Sequence, residues 1–329
     1  QNVGGTLVSH YKERAFMGFF EVFVNLFKVV GFIKLSKKDI TQFQPDVIIF
    51  IDNSGFNLRV AKWAKKQGFK TNYYISPQVW ASRASRVKDI KRDIDNMFVI
   101  LPFEKKFYEK YNYNVAFVGH PLIDAIAERK KVDELAFRQE YALTNLPIIA
   151  LLPGSRKQEI TKMLLVMLSI VEDFSEYQFV IAGAPSQDLS FYQKIIGNRK
   201  ICFIKNQTYD LLSVSHAALV ASGTATLEAA LFKVPQVVCY KGGTISYQIA
   251  KRIITLKFIS LVNLIMDKEV VKELIQKDFN KKHLKTALTK ILDHSHREKL
   301  ISAYVDLENK LGGKGASEKV AKQIVANLK

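Results

Sequence analysis

Two series of short apolar runs, each run followed by a helical stretch, constrain the fold of this chain more than any other feature. The first series is PDVIIFID (45–52), KTNYYIS (70–76), NMFVILP (96–102) and VAFVG (115–119). The second is PIIALLPG (147–154), YQFVIAG (177–183), KICFIK (200–205), AALVASG (217–223) and PQVVCYKG (235–242). Runs that do not alternate with polar residues suit parallel strands covered on both faces. The stretches between them, such as NLRVAKWAKKQG and PFEKKFYEKY, carry helical spacing. Alternation repeated twice predicts an α/β protein with two Rossmann-like parallel sheets facing across a cleft. The polar segment ERKKVDELAFRQEYALTNLP predicts the join, giving domains at 1–145 and 146–329. Beyond about residue 244 the pattern reads as helical to the end.

Composition narrows the partners. The chain has 329 residues, 48% hydrophobic and 24% charged, which is a globular make-up with room for two cores. Its formal net charge of +18 asks for an anionic partner: nucleic acid, an acidic membrane surface or a phosphorylated substrate. The lysines are spread over many helices and no nucleic-acid module is recognisable, which argues against nucleic acid. Cys202 and Cys239 both lie in apolar strand-like runs without metal-ligand spacing, so they read as core thiols in a reducing cytoplasm. No metal site is expected. No stretch is apolar enough to span a membrane. The nearest, AFMGFFEVFVNLFKVVGFIKL (15–35), reads either as a buried helix or as one dipping Phe16, Phe19, Phe20, Phe23 and Phe27 into a lipid surface.

Ligands of Rossmann-like sheets sit beyond the C-terminal ends of the strands. The chain places chemically loaded turns there. In FIDNSGFN, Asp52 ends a strand and reads either as a helix cap or as a general base. ISPQVWASRASRVKDIKR supplies Arg83 and Arg86, a solvated helix face or a phosphate-steering patch. VGHPLIDAI supplies His120, either a satisfied structural histidine or a ligand group. In LLPGSRKQEI a buried strand stops in Gly154, Ser155 and Arg156 before a helix. ASGTATLEAA does the same with Ser222, Gly223, Thr224 and Thr226, and Glu228 follows one turn into the helix. Small hydroxyl residues and glycine at a helix start leave amide donors for a diphosphate, and a carboxylate one turn on can receive two ribose hydroxyls. Neither a Walker lysine motif nor Gly-x-Gly-x-x-Gly occurs, which argues against P-loop NTPases and plain dinucleotide dehydrogenases.

These stretches, taken in order with ILPFEKKFYEKY and ISLVNLIMDKEVVKELIQ, resemble the lipid-A-disaccharide synthase family of GT-B glycosyltransferases. The resemblance runs from about residue 14 to residue 310. It implies an inverting, metal-free transfer of the diacylglucosaminyl group of UDP-2,3-diacylglucosamine onto 2,3-diacylglucosamine 1-phosphate. The product is lipid A disaccharide 1-phosphate, with release of UDP and no cofactor. It implies Asp52 as general base and Arg156 as the cation that neutralises departing UDP. Ser155, Thr224 and Thr226 would hold the diphosphate, Glu228 the ribose, and Asn263, Glu273 and Gln276 further parts of the donor. The N-terminal domain would take the acceptor and face the membrane; the C-terminal domain would bind the UDP-sugar. The setting implied is Gram-negative lipopolysaccharide synthesis, cytoplasmic and peripheral on the inner face of the inner membrane, with a homo-oligomer left open. The family begins with a strand and a Gly-Glu-x-Ser-Gly-Asp turn that QNVGGTL does not match, which predicts a missing first strand and reduced activity. Rival readings are another UDP-sugar GT-B enzyme, such as a lipid-linked N-acetylglucosaminyltransferase or a 2-epimerase, and an inactive membrane-associated fragment.

Overall fold

The computed structural model describes residues 4–9, 26–243 and 256–328. Both expected series of runs form parallel sheets. The first sheet contains β1 (Ile48–Ile51), β2 (Thr71–Tyr74), β3 (Asn96–Val99) and β4 (Ala116–Phe117), side by side in chain order. On one face Tyr73, Met97 and Val99 pack with Val60, Ala61 and Ala64 of the Ser54–Lys66 helix. On the other, Tyr74, Phe98 and Val118 pack with Val320 and Ile324 of the closing Ala316–Ala326 helix. Among the described residues strand β1 is the sheet edge, and it alternates: Ile48 and Phe50 are buried while Ile49 and Ile51 are 46% and 55% exposed.

The second sheet contains β5 (Ile148–Leu152), β6 (Gln178–Gly183), β7 (Cys202–Lys205), β8 (Ser215–Ala221), β9 (Gln236–Tyr240) and β10 (Lys272–Ile275). Its order is β10-β9-β8-β5-β6-β7, all parallel. Every residue of β5 is buried, as a central strand covered on both faces requires. The Lys157–Leu168 helix that follows buries Ile160, Met163, Leu164, Met167 and Leu168, an i, i+3, i+4, i+7, i+8 stripe. From β5 the chain moves outward through β6 and β7, then returns to lay β8 on the other side of β5. That reversal opens a crevice at the C-terminal ends of β5 and β8, where a parallel sheet of this order takes its ligands.

Two expectations need correction. Beyond residue 244 the chain is not wholly helical, because β10 joins the sheet; its sequence KELI mixes charge with aliphatic residues, as an edge strand allows. The compact units also differ from the 1–145/146–329 division. One comprises Gln1–Ile100, Glu104–Val118 and Glu318–Lys329; the other comprises Leu101–Phe103 and Gly119–Ser317. The polar segment after residue 128 belongs to the second unit because Phe137 is buried in its core, with Tyr141 and Leu143 packed alongside. Phe16, Phe19, Phe20, Phe23 and the Phe27 side chain lie outside the described residues, as does most of the apolar 15–35 stretch. Among the described residues no helix is long and apolar enough to cross a membrane.

Candidate functional site

The crevice of the second sheet is a cavity of about 260 Å³ lined by both turns that the sequence singles out. Gly154 and Ser155 come from the end of β5, Ser222, Gly223 and Thr224 from the end of β8, and Glu228 from one turn into the Thr224–Leu231 helix. Gly154 adopts φ +103° and Gly223 φ +153°, conformations that a side-chain-bearing residue takes only under strain. Neither helix that starts here has a side-chain cap: Arg156 and Gly223 occupy the cap positions without one. The first-turn amides therefore point out of the helix with the positive end of its dipole, an arrangement suited to an anion. Arg156 is exposed beside Ser155, with no side-chain hydrogen bond or ion pair among the described residues. The Glu159 carboxylate reaches back to the Ser155 N–H at 3.4 Å and takes the donor that an anion would use.

Glu228 has the chemistry of a hydroxyl acceptor. Burial raises its carboxyl above the ordinary glutamate value, and the Tyr209 hydroxyl, which donates to Oε1 at 2.9 Å, opposes that rise. Ser222 braces the turn from the other side. Its N–H donates to the Cys239 carbonyl at 3.0 Å and its hydroxyl to the Ile259 carbonyl at 2.8 Å.

Not every expected ligand group faces the cavity. Thr226 is fully buried and donates to the Gly223 carbonyl at 2.8 Å, so its hydroxyl shapes the turn. Asn263 is also fully buried. Its amide donates to the Val271 carbonyl and to Glu273, and its carbonyl oxygen accepts from the N–H groups of Val270 and Val271. Glu273 accepts from the N–H groups of Ile259 and Ser260 and from the Ser260 hydroxyl. Together the two side chains tie the 259–263 turn to β10. Of the three donor-site residues expected there, Gln276 alone keeps a free group. Among the described residues its Nε2 is buried without a partner, and its backbone sits at φ +53° just past β10.

Asp52 lies at the C-terminal end of β1, in the first unit. The helix-cap reading falls away, because the cap position is Asn53 and no side chain caps that helix. Asp52 and Asn53 both adopt left-handed backbone, at φ +46° and +38°. Consecutive non-glycine residues in that region cost on the order of 1–3 kcal/mol each and persist only where neighbours over-determine them. The neighbours here are Asn57, whose amide donates to the carbonyls of Ile51 at 2.9 Å and Asp52 at 2.8 Å, and Tyr73, whose hydroxyl also donates to the Asp52 carbonyl. The backbone is gripped while the carboxylate is exposed, without a hydrogen bond or ion pair among the described residues.

Arg83 and Arg86 lie on the turns after β2, beyond the same C-terminal end of the strands, exposed and without side-chain hydrogen bonds or ion pairs among the described residues. The turn that carries them is anchored by buried Glu104, which accepts from the Trp80 indole at 3.2 Å and from the Ile100 N–H at 3.2 Å. His120 is 4% exposed. Its Nδ1 accepts the Leu122 N–H, and its backbone N–H donates to the Leu311 carbonyl. Burial pushes its imidazole down to about 4. It is therefore neutral at neutral pH and offers a phosphate no charge. Asp124 of the same motif caps the closing helix by accepting from the N–H groups of Gly315 and Ala316.

Asn57, Tyr73 and Tyr209 escape a reading of the sequence. Asn57 leaves a faint signal, an amide five residues after Asp52 in a turn; the two tyrosines leave none, because their partners are distant in the chain.

The family model described as Lipid-A-disaccharide synthetase matches residues 1–327. The lipid-A-disaccharide synthase of Syntrophus aciditrophicus (strain SB) is 36% identical over 337 residues, covering 100% of this chain and 88% of that protein. The enzyme of the same name from Coxiella burnetii (strain Dugway 5J108-111) is 37% identical over 328 residues, covering 94% and 86%. Among solved structures, UDP-GlcNAc 2-epimerase from Neisseria meningitidis bound to UDP-GlcNAc superposes with a TM-score of 0.67 at 16% identity, covering 95% of this chain and 83% of that one. The calicheamicin glycosyltransferase CalG4 superposes with a TM-score of 0.56 at 13% identity, covering 98% and 82%. At such identities these two likenesses speak for the GT-B fold alone.

Proposed function

The chain belongs to the lipid-A-disaccharide synthetase family of GT-B glycosyltransferases, and on that premise we propose its substrates and the residues that carry the reaction. The donor is UDP-2,3-diacylglucosamine and the acceptor 2,3-diacylglucosamine 1-phosphate. Asp52 takes the proton from the acceptor 6-hydroxyl as that oxygen attacks the anomeric carbon. The bond from that carbon to the diphosphate breaks, UDP departs, and the anomeric centre inverts. Arg156 and the amides after Gly154 and Gly223 carry the charge that develops on the leaving diphosphate. Ser155 and Thr224 hold its oxygens, and Glu228 accepts from the ribose. Thr226 shapes the Gly223 turn from behind, and Asn263 and Glu273 brace the neighbouring 259–263 turn.

One observation carries the reading: two uncapped, glycine-opened helix starts meet a half-buried carboxylate in one cavity at the β5/β8 reversal. A diphosphate and a ribose need that combination, and a plain helix cap does not. An exposed carboxylate on a gripped, strained turn supports the base assignment. The net charge of +18 supports work at an anionic lipid surface, as does the phenylalanine-rich 15–35 stretch. Arg83 and Arg86 remain the candidates for steering the acceptor phosphate.

The test is UDP release by the purified chain in detergent micelles, with UDP-N-acetylglucosamine as control donor. Release that requires both acylated substrates is the expected result. Release without the acceptor, or conversion of the control donor to its 2-epimer, overturns the reading.

A further inference from the structure

Tyr209 sits on the Thr208–Ser213 helix, which follows β7. Its hydroxyl donates to Glu228 Oε1 at 2.9 Å, and among the described residues that is the only hydrogen bond the carboxylate makes. The ring is held on two further sides. Phe232, the C-cap residue that ends the Glu228 helix, lies 5.4 Å away centroid to centroid. The Arg129 guanidinium stands 5.1 Å from the ring centroid, and Asp210, the next residue after Tyr209, pairs with it. Arg129 comes from the segment between the two series of strands, so three separate stretches of the second unit converge on one phenol.

We propose that Tyr209, clamped by Arg129 and Phe232, is the positioning residue that aims the Glu228 carboxylate and so sets the preference for a ribose over a deoxyribose nucleoside diphosphate. The proposal rests on Glu228 as the ribose acceptor. A glutamate carboxylate rotates freely about its last torsion, and a broad range of orientations accepts a hydroxyl poorly. Anchoring Oε1 with a charge-assisted hydrogen bond fixes the carboxylate plane. Oε2 and the remaining lone pair of Oε1 are then left for the two ribose hydroxyls. Tyr209 itself touches no reacting atom. Its ring cannot swing away while Arg129 is held over it, so the aim is preset before the nucleotide arrives.

Calorimetric titration of the full chain with UDP, 2′-deoxy-UDP and 3′-deoxy-UDP tests this. The parent is expected to prefer UDP over either deoxy form by about tenfold or more, the worth of a hydrogen bond to a charged group. Glu228→Gln should remove most of that preference. Tyr209→Phe keeps the ring and should shrink the preference by about three- to tenfold, with affinity for the deoxy forms nearly unchanged. Arg129→Gln keeps the hydroxyl but frees the ring, and should shrink it less. If Glu228→Gln keeps the full preference, the ribose assignment fails and the proposal falls with it. If Glu228→Gln loses it while Tyr209→Phe keeps it, the Tyr209 proposal alone falls. A Tyr209→Phe variant that weakens all three nucleotides equally marks a structural residue and also overturns it. Should that variant not fold by circular dichroism, Arg129→Gln decides: an unchanged preference refutes the clamp.

Discussion

At the end of β1 the chain turns through Asp52 and Asn53 in left-handed backbone, whereas at the ends of β5 and β8 it turns through Gly154 and Gly223. All three turns leave a parallel sheet at the edge where ligands bind. They solve the same geometric problem with opposite residue types. Glycine meets a positive φ without strain and leaves the backbone N–H groups uncovered, which is what an anion requires. It supplies no side chain. A turn that must present a carboxylate cannot use glycine, so the chain accepts strain at Asp52 and restrains it with Asn57 and Tyr73. The difference in backbone chemistry mirrors the proposed difference in role: one turn acts through a side chain, the others through the main chain.

The largest test of that contrast is Asp52→Asn. Asparagine tolerates the left-handed region as aspartate does, so the turn should survive while the base is lost. Turnover in the UDP-release assay should fall by about 10³-fold or more, with UDP affinity within about twofold of the parent. Retained turnover would remove Asp52 from the mechanism and leave its strain without a purpose.

Gly154→Ala probes the other side. At φ +103° an alanine is strained, and its Cβ would collide with the Glu159 carboxylate. Glu159 can swing aside, but the backbone cannot keep its shape without cost. UDP affinity should fall by about tenfold and stability by about 1–2 kcal/mol, read by calorimetry and by thermal melting. Asn57→Ala should be milder and fall on turnover instead. It removes two hydrogen bonds from the strained turn, each worth about 1 kcal/mol, and turnover should drop about tenfold while UDP affinity holds. An equal loss of UDP affinity would mean that the two units respond as one and that the local reading of the strain is wrong.

How much of this was legible in advance follows from what each residue answers to. The strands were readable because a central parallel strand is apolar on both faces, as β5 is throughout. Strand β10 was not, since an edge strand with exposed Lys272 owes little to the core. Glycine beside serine and threonine exposed the two cavity turns, because few other structural needs call for that set. Thr226, Asn263 and Glu273 carry the same polar groups as ligand residues, yet those groups are taken up by backbone partners. Residue type alone does not separate a brace from a contact. The unit boundaries went astray for a related reason: Val320 and Ile324 return to the first sheet from the far end of the chain, and no local pattern reports that.

The smallest effect is also the sharpest. Asn53 has φ +38° and ψ +57°, is exposed, and makes no side-chain cap bond to the helix that it precedes. Asn53→Gly therefore removes strain without removing a contact. The gain is offset in part by the greater freedom of glycine in the unfolded chain, so stability should rise by only about 0.5 kcal/mol, with turnover unchanged. Asp52→Gly relieves the same kind of strain one residue earlier and should be at least as stable, yet it should be inactive. If both variants melt at or above the parent temperature and only Asp52→Gly loses turnover, the strain at residue 52 is kept for its carboxylate. If instead Asn53→Gly also loses turnover, the turn itself carries the function, and the contrast between a side-chain turn and main-chain turns does not hold.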